Sequence, residues 1–155
     1  MSLSSENTPN MNPALKAIAF MAGAWDMELS NAFFLPSKQD VAHIDATFRW
    51  IEGGALLVLQ QGNMSTPPFA TWVIGRDEDD QEYTVHYFDD RNTSRVYRMS
   101  FEEPTWKLWR ERTQSIQRFV GTVSDDRSVI NGHWEYSTDG GKTWQHDFDV
   151  KYTTK

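Results

Sequence analysis

The sequence predicts an all-β domain: about ten antiparallel strands in up-and-down order, closed into a barrel, with one short N-terminal helix closing an end. Three observations carry this. From Trp25 onward, apolar and polar residues alternate with a period of two in short runs. Glycine, proline and acidic clusters separate the runs. No helical stretch lies between them, so parallel crossovers, which need roughly a dozen residues or more, have no room. A meander of this length leaves raw edges unless the sheet closes. A two-sheet sandwich is the alternative closure.

The helix is read over Asn12–Gly23. Asn12 is a suitable N-cap, Pro13 sits where a first-turn proline is tolerated, and Gly23 supplies the stop. Leu15, Ile18, Ala19 and Ala22 give it an apolar face, and a helix this short must dock that face on something. The first strand alternates Trp25, Met27 and Leu29 with Asp26 and Glu28. The second, Val41 to Ile51, puts Ile44, Ala46, Phe48 and Trp50 on one side; His43, Asp45, Thr47 and Arg49 take the other. Gly53-Gly54 turns the chain into Ala55–Gln61, and a Pro67-Pro68 break precedes Phe69–Arg76. An acidic turn at 77–80 leads to Glu82–Phe88, followed by Ser94–Phe101, Thr105–Arg112, Ile116–Val123 and Val129–Tyr136. In the last strand Trp144, His146, Phe148, Val150 and Tyr152 share one face, against Gln145, Asp147, Asp149 and Lys151.

The 155 residues form one domain, 13–155, behind a frayed tail of residues 1–12. With no cysteine, disulfides and thiolate metal sites are excluded. A net charge of −7 argues against nucleic acid as a partner. No run approaches the roughly 20 apolar residues of a membrane helix, and the opening MSLSSENTPNMN does not read as a signal peptide. The expected setting is the cytoplasm, with no membrane partner. Aromatics are the surplus: 14% of the chain, seven of them Trp, enough to line a pocket, build a core or form an interface.

Gly23-Ala24-Trp25, placed after a short helix and opening the first strand, resembles the start of the lipocalin and wider calycin barrels. In those barrels the helix closes one end and the Trp packs at the floor. The chain is also similar to a family of uncharacterised bacterial calycin-like proteins, which end, as this one does, in Glu135-Tyr136-Ser137-Thr138-Asp139-Gly140-Gly141-Lys142-Thr143-Trp144. Lipocalins proper often place an Arg near the barrel's end; this chain offers Lys151 and Lys155 there. The segment Ser137–Trp144 further resembles the Asp-box hairpin of sialidase propellers. One copy in a chain this short makes it a local turn device, with Asp139 bonding backbone amides.

The expected function is binding of a small hydrophobic or amphipathic ligand in an aromatic-lined barrel. The expected wall is Trp25, Phe48, Trp50, Trp72, Tyr97, Trp106, Trp134, His146 and Phe148. Arg95 shares a face with Tyr97, Met99 and Phe101, and Arg110 and Arg112 share one with Trp106 and Leu108. Pairing about Glu103-Pro104 would gather these arginines with Tyr97 to hold a carboxylate or phosphate. Fatty-acid-binding barrels use a similar Arg–Arg–Tyr set. In the opposite register Trp109 faces in with Lys107 and Glu111, and the arginines face solvent.

His43 and His133 share faces with Asp45 and Glu135 and are expected outside; His86 competes with Tyr83, Val85 and Tyr87 for the inner face. His146, between Trp144 and Phe148, has two readings. One is a hydrogen-bonded core residue. The other is an axial haem ligand, implied by a resemblance to nitrobindin-like barrels, which share the glycine–tryptophan opening. No cofactor and no metal are expected otherwise, since no histidines are spaced as a local pair and the acidic turns lack ordered calcium-ligand spacing. No catalytic motif is present, so the reading leans away from an enzyme. The remaining alternatives are a small cavity enzyme and an interaction barrel with a filled interior. A homodimer is compatible with the chain.

Overall fold

The computed structural model describes residues 10–63, 66–110 and 116–155. The expectations for residues 1–9 of the tail and for Arg112 lie outside the described residues.

The N-terminal helix spans Pro13–Met21 and is wound as a 3-10 helix. Leu15, Ile18 and Met21, three residues apart, are each fully buried. Three residues per turn stacks them on one edge, which suits the tighter winding. The Asn12 side chain accepts from the Ala14 amide at 3.0 Å and donates to the Arg76 carbonyl at 3.0 Å. Arg76 answers by donating from its guanidinium to the Ala14 carbonyl at 2.9 Å, so the helix start is tied from both sides.

Among the described residues ten strands follow: β1 Gly23–Ser30, β2 Ala42–Ile51, β3 Leu56–Asn63, β4 Thr66–Gly75, β5 Tyr83–Asp89, β6 Ser94–Glu102, β7 Thr105–Arg110, β8 Ile116–Val123, β9 Val129–Ser137 and β10 Gln145–Thr154. Each pairs with its neighbours in sequence, and β1 pairs with β10, giving a closed antiparallel barrel. The predicted meander is therefore present, and closure is by barrel rather than sandwich. One boundary differs. β4 begins at Thr66, so Pro67 and Pro68 lie inside it rather than before it. Its ladder to β5 starts only at Ala70, and prolines are tolerated in the opening residues of a strand where no donor is required.

The chain divides into two compact units. The first runs from the N-terminal helix to Trp25 and from Asp45 to Arg98, with Lys155; the second comprises Asp26–Ile44 and Met99–Thr154.

In the first unit, register sorts the buried face of β2–β5 into three cross-strand rows. Trp50, Leu57, Ile74 and Val85 form an apolar row; Phe48, Leu59, Trp72 and Tyr87 form the next. The third, Ala46, Gln61, Ala70 and Asp89, carries polar groups. Trp25 is 1% exposed, meets Phe48 edge-on at 6.4 Å and donates from its indole to the Met21 carbonyl at 2.8 Å.

The second unit repeats the ordering. Val123, Ile130 and Tyr152 form one row, followed by Trp106, Gly121, Gly132 and Val150, then Leu108, Phe119, Trp134 and Phe148. The last row is polar: Arg110, Gln117, Tyr136 and Gln145. The paired glycines leave room for the Phe119 ring. A Cβ at Gly132 would stand 2.5 Å from Phe119 Cζ and 2.8 Å from the Val120 carbonyl oxygen.

Candidate functional site

Eleven residues were expected at the site, and the two units divide them. Trp25, Phe48, Trp50, Trp72, Arg95 and Tyr97 belong to the first. Trp106, Arg110, Trp134, His146 and Phe148 belong to the second.

The structure puts the first set on the inner face. Trp25, Phe48, Trp50, Trp72 and Tyr97 are all buried, and Arg95 lies on the Tyr97 side of β6, half-buried, while Val96 and Arg98 between and beyond them are exposed. The rings of Trp72, Tyr87 and Tyr97 form a triad, with centroids 4.5, 5.2 and 6.0 Å apart. Such edge-on and tilted pairs are the favoured geometry for aromatic quadrupoles. The Trp72 indole donates to Gln61 Oε1 at 2.9 Å, so a polar group finishes this aromatic surface.

Two members of this cluster escaped the sequence reading. Tyr87 was ambiguous against His86; the structure turns Tyr87 in and leaves His86 exposed, edge-on to Phe88 at 5.9 Å. Tyr83 and Val85 share the Tyr87 face, which was the signal available. Asp89 reads in sequence as one acid in a turn. Its side chain is only 3% exposed and accepts from the Tyr87 hydroxyl at 2.7 Å, from Arg91 at 2.6 Å and from the amides of Arg91 and Thr93 at 2.9 and 3.3 Å. Burial raises its pKa, but the bonds from Arg91, Tyr87 and Thr93 outweigh burial and hold the carboxyl well below the ordinary aspartate value. Burial, then the bond to Asp89, pushes the Tyr87 phenol well above its own.

A pH dependence follows. A depressed folded-state pKa adds stability that is full above the unfolded value, 3.8 for an aspartate, and is lost as pH falls through the folded one. Urea melts of the parent and Asp89→Asn should therefore differ most at neutral pH and converge as the buffer is taken below that value. A difference that stays constant with pH would show that Asp89 is not the group responsible.

In the second unit Trp106 and Leu108 are buried and Lys107 exposed, which selects the register that turns Arg110 inward and leaves Lys107 in solvent. Trp106 meets Phe119 at 5.1 Å and Tyr152 at 5.9 Å; Phe119 meets Trp134 at 5.4 Å, and Trp134 stacks with Phe148 at 6.3 Å. Phe119, fully buried in this line, was missed because Ile116–Val123 was read as a strand without a face.

His146 requires correction. The ladder between β9 and β10 shifts between His146 and Phe148, so Asp147 is an extra residue in the strand. Because side chains alternate with a period of two, one inserted residue moves everything before it to the other face. Phe148, Val150 and Tyr152 keep the expected inner face, but His146 and Trp144 do not. His146 lies outside, 6.4 Å from the ring of His133 and 2.7 Å from Asp149 Oδ1. The haem alternative required an inward His146. Its premise is absent from this strand. Trp144 instead lies beneath the Arg118 guanidinium, 3.7 Å from its centre, and Arg118 also bonds Glu135 at 3.1 Å. No group of three or more potential metal ligands occurs among the described residues.

The Asp139 hairpin behaves as the local device expected. The carboxylate accepts from the Thr143 hydroxyl and amide, the Ser137 hydroxyl and the Lys142 amide, which together bring its pKa down to about 2. No helix of the described residues is long and apolar enough to cross a membrane.

No protein-family model matches the sequence. None of the curated proteins matches it either. Among solved structures, the chain is similar to one described as the crystal structure of Rv2717c from M. tuberculosis. The TM-score is 0.62 at 10% identity, over 94% of this chain and 99% of that one. At that identity the likeness concerns the fold alone.

Proposed function

We propose that the chain is a calycin-like barrel protein that binds a small amphipathic ligand, apolar along its length and anionic at one end. The observation that carries this is the ordering of rows in the first unit. Fully apolar residues give way to the Phe48–Trp72–Tyr87 row, and that row to Gln61 and Asp89, with Arg95 beside Tyr97. Arg95, half-buried on the Tyr97 face of β6, carries the guanidinium whose charge and planar fork suit a ligand's carboxylate. An apolar chain on Trp72 would gain from burial, about 25 cal/mol per Å² removed from water, while a guanidinium fixes the orientation. The second unit has the same progression, ending in Arg110.

Oleate and oleyl alcohol separate the two contributions. Trp72→Ala is expected to weaken both, by about 10-fold or more. Arg95→Met is expected to weaken oleate about 10-fold and leave the alcohol within about two-fold, since only the carboxylate meets the guanidinium. Equal affinities for both ligands in parent and variants would refute the anionic end. A second reading is a filled interior that serves stability alone, favoured by the complete burial of Phe48, Trp106 and Phe119 against their own neighbours. Absence of binding in the parent would favour it.

A further inference from the structure

We infer that Phe34, in the loop between β1 and β2, is a gate through which apolar molecules reach the ring face of the second unit. The inference rests on the ligand-binding reading above and adds an entry route to it. In this unit an unbroken file of rings leads from solvent to the core. Phe33 is 80% exposed and Phe34 48%, with centroids 5.6 Å apart. Phe34 stands edge-on to Phe148 at 5.2 Å, and Phe148 stacks with Trp134 at 6.3 Å. Trp134 meets Phe119, and Phe119 meets Trp106, which is 1% exposed.

The loop is built to hold its base and present its tip. Asn31 takes a left-handed conformation, φ 51°, and donates to Asp149 Oδ2 at 2.6 Å. Ala32, next in the chain, is 1% exposed. From there two turns, Leu35 amide to Ala32 carbonyl at 3.2 Å and Asp40 amide to Ser37 carbonyl at 3.1 Å, carry the segment to β2. Both turns close within the loop and, among the described residues, neither bonds to a strand ladder, so the tip can swing without breaking sheet hydrogen bonds. Phe33 and Phe34 together leave apolar ring surface in water directly beside this stack. Phe34 covers the Phe148 ring, and moving it uncovers the stack behind. Asp149, at the base, repels anions, so an amphipathic carboxylate or sulfonate enters apolar end first.

The probe is 1-anilinonaphthalene-8-sulfonate, an apolar aromatic anion, followed by stopped-flow fluorescence with the parent, Phe34→Ala and Phe34→Leu. A gate slows entry and exit alike. Phe34→Ala should therefore raise association and dissociation rates together, about five-fold or more, with Kd within about two-fold; Phe34→Leu should fall between. Unchanged rates would overturn the gate. So would faster dissociation alone, which would make Phe34 a ligand contact. If the probe does not bind the parent, the binding reading fails, and the gate is judged separately by acrylamide quenching. Phe34→Ala should then increase quenching, and Trp134→Phe in the same chain should remove the increase. Quenching that does not change on Phe34→Ala would overturn the gate whatever the dye does.

Discussion

Gly132→Val is expected to destabilise the fold by about 3 kcal/mol, the upper end for overpacking a filled core. A Cβ at this position meets two obstacles of different kinds. Phe119 Cζ, 2.5 Å away, is the end of a side chain and can rotate; the Val120 carbonyl oxygen, 2.8 Å away, belongs to the neighbouring strand and cannot move without breaking the ladder. Valine adds two methyls to that conflict. In a domain of this size the melting temperature should fall by about 6–12 °C. Phe119→Leu in the same chain removes only the first obstacle. The double variant should therefore recover part of the loss relative to the two single changes added together, a coupling readable from a double-mutant cycle. Gly132→Val melting within a degree of the parent would contradict the packing of Phe119 over the β8–β9 glycines.

Trp25→Ala is expected to cost about 4 kcal/mol, or about 8–16 °C in melting temperature. Part of this is burial: the indole is 1% exposed and packs against Phe48. The rest is a capping role. The last carbonyls of a helix lack intrahelical donors, and the Trp25 indole supplies one to Met21 at 2.8 Å. Trp25→Phe keeps most of the burial and loses this bond, so it should cost less, about 1–2 kcal/mol. This gives a physical account of glycine, any residue, tryptophan at this place in the chain. Gly23, at φ 133°, lets the backbone turn from helix to strand, and the indole two residues on reaches back to close the helix. Equal losses for Ala and Phe would deny the burial share; no loss for Phe would deny the bond.

The barrel was legible because its signals are local. Alternation fixes the face within a strand, and turn residues fix where strands end; both held for β1, β2, β6 and β9. The candidate site was legible only in part, because its organisation is a matter of register. That Phe48, Leu59, Trp72 and Tyr87 form one row cannot be read from any single strand. The inward turn of Asp89 depends on the partners Tyr87 and Arg91, which the turn geometry delivers. The bulge at Asp147 has no signature in Gln145-His146-Asp147-Phe148, whose alternation is regular on paper. It reversed His146 and Trp144 together, as a period of two requires. Phe33 and Phe34 drew no reading because a loop has no period to interpret.

The central claim is that the ring-lined faces take up a small amphipathic molecule. Native mass spectrometry of the purified chain tests it most directly, first without added ligand and then with excess oleate. The account predicts the chain mass plus one small apolar adduct, either carried from the expression host or appearing with oleate, and its loss in Trp72→Ala with Arg95→Met. A bare chain mass under both conditions would contradict it.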